Sequence, residues 1–327
     1  MKCKYKKVLF GLTLITLPMF SIANQLAPSS ESSGFIRNDY YVFNRDNSDV
    51  NESLKNVTYT YFFSVKPNDN GELFYDGHSE DNFKLKFDDF FAKLDANQRS
   101  KMMLGVGNLD PIVTSASPET YRRFMNEMNR LLIDYGFVGL DIDWETDIAV
   151  SLYSNMIHNL RSWFPHKKIS ISIGSNNYNH YFDKAEAVDN IVDFINVQGY
   201  GPHTNNLSTV AVIDVLDQLN QNYGVDKNKL LLGLPIYAVT ESQVEAGSPK
   251  DIAWSKLISD YGADPELNKF ILGEYTYNYN SIPLIREKVS AVKAAGYRGV
   301  FTWEPQLDLP YGDVNSIIAA IDDEMIE

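Results

Sequence analysis

Three carboxylates recur at every second residue within one short segment of the chain. The segment, residues 137–145, reads Phe-Val-Gly-Leu-Asp-Ile-Asp-Trp-Glu, and its acids are Asp141, Asp143 and Glu145. Because side chains alternate between the two faces of a β-strand, a strand here would place all three acids on one face, with neighbours about 7 Å apart. Repulsion and desolvation would raise at least one pKa, so that one acid stays protonated near neutral pH. Such a group can donate a proton in general acid catalysis.

The same acids allow two other interpretations. Asp141 and Asp143 could bind Mg²⁺ or Ca²⁺ through their carboxylates, and the row could be a solvated strand end. No Gly-rich loop that could hold a phosphate precedes a helix, which weakens the magnesium interpretation. Zinc gains no support, because the histidines lack metal-ligand spacing; they are His78, His158, His166, His180 and His203. From these residues alone, catalysis, metal binding and a surface role all stay open.

Eight short β-rich segments alternate with helical stretches along the chain. They are residues 35–43, 57–65, 101–106, 138–143, 168–174, 193–199, 230–236 and 298–303. Several are almost entirely apolar, as expected for strands of a parallel sheet that is covered on both faces. The count favours an α/β fold of the (β/α)₈ TIM-barrel type, and an open, doubly wound sheet is the alternative. In such a barrel, the three acids would lie at the carboxyl end of a strand, where barrel active sites are found.

Two of the intervening helices have clear ends. Ser117 can cap a helix whose first residue is Pro118, and Gly136 follows its last apolar position. A second helix has apolar residues at three- and four-residue steps from 212 to 223 and ends before Gly224. The first helix, expected around residues 46–55, is poorly defined.

The first 23 residues differ in composition from the rest of the chain. Four lysines within residues 2–7 precede an apolar run, residues 8–20, and the sequence Ser-Ile-Ala follows. This arrangement predicts a secretory signal peptide over residues 1–23, whose apolar run is too short to span a bilayer. A membrane anchor or a buried first helix is the alternative. Residues 24–34 are then expected to form a flexible lead-in, and residues 35–327 a single domain.

Removal of the signal peptide would change both cysteine content and charge. Cys3 is the only cysteine, so the mature protein could form no disulfide, and export without disulfides suggests a bacterial periplasmic or secreted protein. The formal charge would go from −14 to −18, because four lysines and no acids would leave. Such an acidic surface repels phosphates, which argues against nucleic-acid and anionic-membrane partners.

Residues 137–145 resemble the signature of family-18 glycoside hydrolases, the chitinases and endo-β-N-acetylglucosaminidases. That signature reads Phe-Asp-Gly-x-Asp-x-Asp-Trp-Glu on the fourth barrel strand, and Val138 is the one departure. Residues 195–201, 231–237 and 296–304 resemble the sixth, seventh and eighth strands of the family. The resemblance covers residues 40–321 and implies a TIM barrel. Residues 239–280 are too few for the full α+β insertion that many members carry.

In this family the nucleophile is the acetamido oxygen of the substrate itself. The resemblance implies that Glu145 protonates the glycosidic oxygen and later activates water. Asp143 would orient the acetamido group and stabilise the oxazolinium-like intermediate, and Asp141 would tune the charge of Asp143 from behind.

Three further residues gain a role from the resemblance. Tyr200 would donate its hydroxyl to the acetamido oxygen, Trp303 would offer its apolar face to the sugar ring, and Gln198 would bind substrate. Trp144, on the opposite face from the acids, is expected in the core. Gly201 stands where the family has Asp or Asn, and residues 105–108 read Gly-Val-Gly-Asn instead of Ser-x-Gly-Gly.

The expected activity is retaining hydrolysis of β-1,4 bonds next to N-acetylglucosamine in chitin or chito-oligosaccharides. An endo-β-N-acetylglucosaminidase acting on N-glycan cores and a catalytically weak lectin on the same barrel are the alternatives. The expected partner is therefore a polysaccharide or oligosaccharide that contains N-acetylglucosamine. We expect no cofactor, no metal, no membrane anchor after signal cleavage, and a monomer.

Overall fold

The computed structural model describes residues 34–45, 50–75, 77–114, 117–200, 207–240, 242 and 249–326. The predicted signal peptide, residues 1–23, lies outside the described residues, as does the predicted lead-in apart from Gly34. Residues 35–327 cluster as one compact unit. Within the described residues, none of the helices combines the length and apolar character that crossing a membrane requires.

The strands of the described residues alternate with helices, as predicted. They are β1 (Ile36–Val42), β2 (Tyr59–Pro67), β3 (Leu73–Phe74), β4 (Met102–Gly107), β5 (Gly139–Asp143), β6 (Lys168–Gly174), β7 (Phe194–Gln198), β8 (Leu230–Pro235), β9 (Tyr237–Thr240), β10 (Asp251–Ala253), β11 (Lys269–Leu272), β12 (Tyr275–Asn278) and β13 (Gly299–Trp303). All eight predicted β-rich segments are strands.

Eight of these strands form a closed parallel barrel. The sheet runs in the order β1-β13-β8-β7-β6-β5-β4-β2, and pairing of β1 with β2 closes it. The short β3 adds antiparallel to β2. The protein is therefore a (β/α)₈ TIM barrel, which confirms the predicted fold and excludes the open sheet. Because all eight strands run in one direction, their carboxyl ends meet at one end of the barrel.

Helices fill the connections between the strands. They are α1 (Val50–Ser53), α2 (Glu80–Lys93), α3 (Ala96–Arg99), α4 (Asp110–Thr114), α5 (Pro118–Asp134), α6 (Val150–Trp163), α7 (Tyr181–Val188), α8 (Thr209–Asn222), α9 (Trp254–Ser259), α10 (Ile282–Ala294) and α11 (Ile317–Ile326).

The helix ends follow the sequence signals. The Ser117 hydroxyl accepts a hydrogen bond from the Thr120 amide at 3.1 Å, and Pro118 is the first residue of α5. Gly136 and Gly224 follow α5 and α8 with positive φ values of 71° and 70°, a conformation that glycine adopts without strain. The helix expected around residues 46–55 is shorter than predicted: α1 covers only four residues, and residues 46–49 lie outside the described part of the chain.

The side chains of the strands pack into two layers. Leu140, Ile142 and Trp144 belong to the large core between the barrel and its helices, and Trp144 is fully buried there as expected. A second, smaller cluster fills the barrel interior with residues from six strands, namely Ile36, Tyr40, Tyr61, Met103, Phe194, Leu231 and Phe301. The alternation of β5 therefore sends its apolar residues outward and its acids inward.

The segment between β8 and α10 is a small addition to the barrel. Strands β9 to β12 form a four-stranded antiparallel sheet in the order β10-β9-β12-β11, with α9 between β10 and β11. This small sheet agrees with the expectation that the segment holds no full α+β domain.

Candidate active site

The three acids of β5 and its following turn become more exposed toward the carboxyl end of the barrel. Asp141 is completely buried, Asp143 is partly buried, and Glu145 is exposed. Asp141 and Asp143 are alternate residues of β5 and Glu145 lies two residues beyond the end of this strand, so one short segment fixes the spacing of the three acids. The row therefore leads from the barrel interior to solvent.

Asp141 is held by donors from three other strands. Its Oδ1 accepts hydrogen bonds from Ser170 Oγ at 2.6 Å and from Asn196 Nδ2 at 3.0 Å, and its Oδ2 accepts one from Tyr40 Oη at 2.5 Å. Burial raises the pKa of Asp141 to about 6, although the three hydrogen bonds favour the ionised form and oppose the rise. The carboxyl of Asp141 is thus fixed in orientation.

Asp143 lies beside Glu145 and is electrostatically coupled to it. Burial raises the pKa of Asp143 well above its usual value, and the charge of Glu145, a hydrogen bond with Glu145 and the charge of Asp141 raise it further. Lys66 at the end of β2 acts in the opposite direction. The Oδ1 atom of Asp143 is buried and has no hydrogen-bond partner among the described residues. Two carboxyls this close favour a state in which they share one proton.

The side chain and the backbone of Glu145 are both held by neighbours. Gln198 Nε2 donates a hydrogen bond of 2.6 Å to Glu145 Oε1. The Glu145 carbonyl accepts hydrogen bonds from Asn179 Nδ2 at 2.6 Å and from Tyr181 Oη at 3.0 Å. The exposed carboxyl is therefore placed at the mouth of the barrel by β7 and by the segment that leads into α7.

The turn that follows β5 is fixed from two sides. Asp110 at the start of α4 accepts hydrogen bonds of 2.7 Å from Trp144 Nε1 and from Thr146 Oγ1 through its Oδ1. On the other side, the buried Lys184 of α7 donates a hydrogen bond of 2.7 Å to the Thr146 carbonyl. These contacts link the positions of α4 and α7 to that of Glu145.

Partly exposed aromatic rings lie beside the acids. Trp303 ends β13, and its ring centroid lies 5.3 Å from that of Tyr40 and 5.3 Å from that of Phe63. Tyr200 lies two residues after the end of β7, with its ring 6.2 Å from that of Phe301. Burial, then Tyr237 and then the carboxylates raise the pKa of Tyr200 well above its usual value, so its hydroxyl keeps its proton. The site thus offers an apolar ring face and a hydroxyl donor next to the carboxyls.

The residues predicted from the sequence come together at this end of the barrel. They are Asp141, Asp143, Glu145, Gln198, Tyr200 and Trp303. Val138 and Gly201 are two positions at which the sequence departs from the residues usual in the family. Val138 packs against the interior cluster at the amino end of β5, far along the strand from Glu145. Gly201 lies outside the described residues.

The residues that hold the acids were not predicted from the sequence. Ser170, Asn196 and Tyr40 bind Asp141, and Tyr181 and Lys184 bind the turn after β5. For Ser170 and Asn196 a signal was present, because each is a polar residue between apolar neighbours of a buried strand. A polar side chain in such a place needs a partner inside the barrel.

A metal centre gains no support from the geometry. Among the described residues, no group of three or more His, Cys, Asp and Glu side chains is arranged to hold a metal ion. The carboxyl of Asp141 binds neutral donors, and that of Asp143 faces another acid.

Curated relatives of this chain are chitinases. It is 27% identical to Chitinase 1 of Aphanocladium album over 266 residues, which are 64% of this chain and 62% of that protein. It is 24% identical to the class V chitinase of Arabidopsis thaliana over 244 residues, 59% of this chain and 64% of that protein. The chain thus spans a little under two thirds of the length of these relatives.

Solved structures share the fold at low identity. A chitinase from Bacteroides thetaiotaomicron superposes with a TM-score of 0.70 and 18% identity, covering 90% of this chain and 97% of that one. The chitinase-like agglutinin RobpsCRA from Robinia pseudoacacia superposes with a TM-score of 0.69 and 18% identity, covering 89% of this chain and 99% of that one. At this level of identity, the superpositions establish the barrel alone.

The family assignment comes from the sequence. The model of glycosyl hydrolases family 18 matches residues 35–308, which include every barrel strand and all six predicted site residues. This match confirms the resemblance inferred from residues 137–145. The chain therefore belongs to glycosyl hydrolase family 18.

Proposed function

We propose that this protein hydrolyses β-1,4 bonds next to N-acetylglucosamine in chitin or chito-oligosaccharides, with retention of configuration and with assistance from the substrate. One observation carries the proposal: Asp141, Asp143 and Glu145 form a row from the barrel interior to its mouth, and the inner carboxyl of Asp143 is coupled to the exposed Glu145. A proton held by that pair can be delivered at the surface. That is the requirement for a general acid near neutral pH.

The reaction divides into two steps at the anomeric carbon. In the first, Glu145 gives its proton to the glycosidic oxygen while the acetamido oxygen attacks the anomeric carbon and the bond to the leaving sugar breaks. In the second, the Glu145 carboxylate takes a proton from water, and the water oxygen opens the oxazolinium ring. Two inversions at one carbon leave the product with the β configuration.

Asp143 and Tyr200 are the groups placed to hold the acetamido substituent. An ionised Asp143 can accept a hydrogen bond from the acetamido N–H, and its unpartnered Oδ1 is an acceptor that a ligand would satisfy. The protonated hydroxyl of Tyr200 can donate to the acetamido oxygen. The ring of Trp303 offers an apolar face to the sugar.

The relatives support a chitinous substrate. The curated relatives are chitinases, and a mutant of the class V chitinase from Nicotiana tobaccum, which shares the fold, is solved in complex with NAG4. The agglutinin from Robinia pseudoacacia shares the fold as well, which makes sugar binding without turnover the second candidate. The presence of Glu145 at the mouth of the barrel favours the enzyme.

Product analysis tests the proposed function. Chitotetraose should be cleaved, whereas cellotetraose and fully deacetylated chitosan should resist, because neither can form an oxazoline ring. NMR of the new reducing end before mutarotation should show the β anomer. An α product or equal cleavage of cellotetraose would rule out the substrate-assisted mechanism. A high-mannose glycoprotein in the same assay separates chitinase action from cleavage of N-glycan cores.

Chelation tests the metal alternative. Activity on chitotetraose should be the same before and after treatment with EDTA, because the proposed chemistry uses only protein and substrate groups. Loss of activity that Mg²⁺, Ca²⁺ or Zn²⁺ restores would assign the acids of β5 to a metal ion instead.

We also propose that the protein is exported, to the periplasm or beyond the cell. The basic, apolar and small-residue pattern of residues 1–23 supports this. Amino-terminal sequencing of the protein recovered from cells should give a chain that begins after residue 23, and an intact amino terminus would contradict export by cleavage.

A further inference from the structure

The side chain of Lys66 lies over Gly107 of the neighbouring strand β4. Lys66 lies near the carboxyl end of β2, and a Cβ built on Gly107 of β4 would come within 2.7 Å of Lys66 Cε and 3.0 Å of its Cγ. Gly107 is the register partner of Asp143. Because paired residues of neighbouring parallel strands point to the same face, the space above Gly107 opens onto the face that carries Asp143. The lysine stem occupies the place that a side chain on β4 would fill.

Lys66 is the cation among the described titratable groups that interact electrostatically with Asp143. The others are Asp141 and Glu145 near β5, Tyr40 on β1, Tyr153 on α6, Tyr181 on α7 and Tyr200 after β7. The tyrosines keep their protons at ordinary pH, because burial raises the pKa of each of them. No ion pair joins Lys66 to another of the described residues. Its positive charge is therefore available to the carboxyls.

The location of the shared proton decides whether the site can react. One proton on the Asp143–Glu145 pair can sit on either carboxyl, and the proposed reaction needs it on Glu145, with Asp143 ionised. Burial and two neighbouring acids favour the opposite arrangement. A cation near Asp143 stabilises the ionised form of this residue and so shifts the proton outward.

We propose that Lys66 is a positioning residue that directs the proton shared by Asp143 and Glu145 to Glu145. The proposal rests on the proposed hydrolase function. It differs from substrate binding by Lys66, in which the ammonium would contact an oxygen of the sugar. The two roles differ in what they change, because a proton-directing charge alters the pH dependence of kcat, whereas a sugar contact alters KM.

Three variants and the wild type test this inference through pH profiles of kcat on chitotetraose. Lys66→Met removes the charge and keeps the stem, Lys66→Arg keeps both, and Lys84→Met removes an exposed lysine of α2 as the control. Removal of the cation raises the pKa of Asp143, so the acid limb of the Lys66→Met profile should move to higher pH by about one unit. The acid limb of Lys66→Arg and of Lys84→Met should stay at the wild-type position.

Two outcomes would overturn the role of Lys66. One is an unmoved acid limb in Lys66→Met; the other is an equal shift in Lys66→Arg, which keeps the positive charge and would therefore show that the charge is not the cause. A rise in KM without a change in the limb would assign Lys66 to substrate binding instead.

A second readout needs no turnover. Carboxyl ¹³C NMR can follow the titration of Asp143 in wild type and in Lys66→Met, with Asp143→Asn identifying the signal. The titration should move to higher pH in Lys66→Met. If the wild type is inactive but the titration of Asp143 moves in Lys66→Met, the proposed hydrolase function is wrong, whereas the effect of Lys66 on Asp143 stands. An active wild type with an unmoved titration would overturn the role of Lys66 alone.

Discussion

Asp141 carries a charge where the barrel interior is apolar, and its donors make this possible. A buried carboxylate is costly unless its lone pairs are satisfied, and here Ser170, Asn196 and Tyr40 supply three hydrogen bonds. Tyr40 also contacts Ser172 and packs against Trp303. A single tyrosine on β1 therefore links the buried acid to the aromatic floor of the proposed sugar site.

Replacement of Tyr40 by phenylalanine removes one donor from Asp141 and keeps the ring. The pKa of Asp141 should rise, and we expect a loss of about 1–3 kcal/mol in the free energy of unfolding, as for other buried acceptors that lose a partner. Since the proposed role of Asp141 is to tune the charge of Asp143, kcat should fall, with little change in KM. Urea denaturation and steady-state kinetics measure the two effects.

Tyr153→Phe is the matched control for this change. The hydroxyl of Tyr153 is also buried but has no hydrogen-bond partner among the described residues, so its removal should leave stability equal or higher. Equal losses in both variants would show that the hydrogen bond from Tyr40 to Asp141 contributes nothing.

Glu145→Gln changes the proposed proton donor alone. The amide oxygen of glutamine can still accept the hydrogen bond from Gln198. We expect kcat on chitotetraose to fall by about 10² to 10⁴-fold, the usual contribution of general acid catalysis, while binding of the oligosaccharide persists. Calorimetric titration with chitotetraose checks binding. A variant that keeps more than about a tenth of the wild-type rate would exclude Glu145 as the acid.

At the scale of elements, the segment from β6 into α7 controls the position of Glu145. Asn179 and Tyr181 bind the Glu145 carbonyl, and Lys184 binds the next carbonyl, so three side chains of one segment fix two consecutive peptides. Asp110 of α4 restrains the same turn from the other side. Small displacements at a reacting centre lower rates strongly, which gives these contacts a catalytic consequence.

Tyr181→Phe tests this control of position. Loss of the donor to the Glu145 carbonyl should lower kcat about threefold to tenfold and leave KM near its wild-type value, because Asn179 still donates to the same carbonyl and limits its displacement. Tyr223→Phe is the control, since the Tyr223 hydroxyl lies in the same region and bonds Asn177 instead of Glu145. Indistinguishable kinetics for the two variants would contradict the assignment.

At the scale of the whole molecule, a buried ion network joins the first strand to the last helix. Arg37 of β1 bonds Asp39, Asp322 of α11 and the Ser53 carbonyl, and Asn56 donates to Asp322 at 2.9 Å. Arg37 is completely buried and Asp322 nearly so. A charge at this depth requires its partner, so folding of β1 and of α11 should be cooperative.

Asp322→Ala should therefore destabilise the entire barrel. We expect a loss of about 3 kcal/mol in the free energy of unfolding, the lower end of the cost of removing one partner from a buried ion pair, because Arg37 keeps its bond to Asp39. Below the unfolding transition kcat should be unchanged, because none of the proposed site residues contacts the network. The adjacent Asp323→Ala breaks an exposed ion pair with Arg286 and should cost less than about 1 kcal/mol. Equal urea midpoints for the two variants would contradict this account.

The sequence by itself determined the barrel strands and the order of strands and helices along the chain. Eight β-rich segments became the eight barrel strands, and Ser117 and Gly136 mark the ends of a helix, because propensity, alternation and capping act over a few neighbouring residues. Alternation also placed Asp141 and Asp143 on one face, since one strand carries both. These features depend on local geometry alone.

Only the tertiary structure decided what surrounds the acids. Alternation says that Tyr40 and Asn196 face one side of their strands, but the bond from Tyr40 to Asp141 joins residues 101 positions apart in the chain. Pairing of β1 with β13 brings Tyr40 to Trp303. Lys66 likewise lies over Gly107 of β4, the strand between β2 and β5, and can do so because glycine has no side chain there. Such contacts follow from strand order, register and packing across the barrel, which no local pattern of residues specifies.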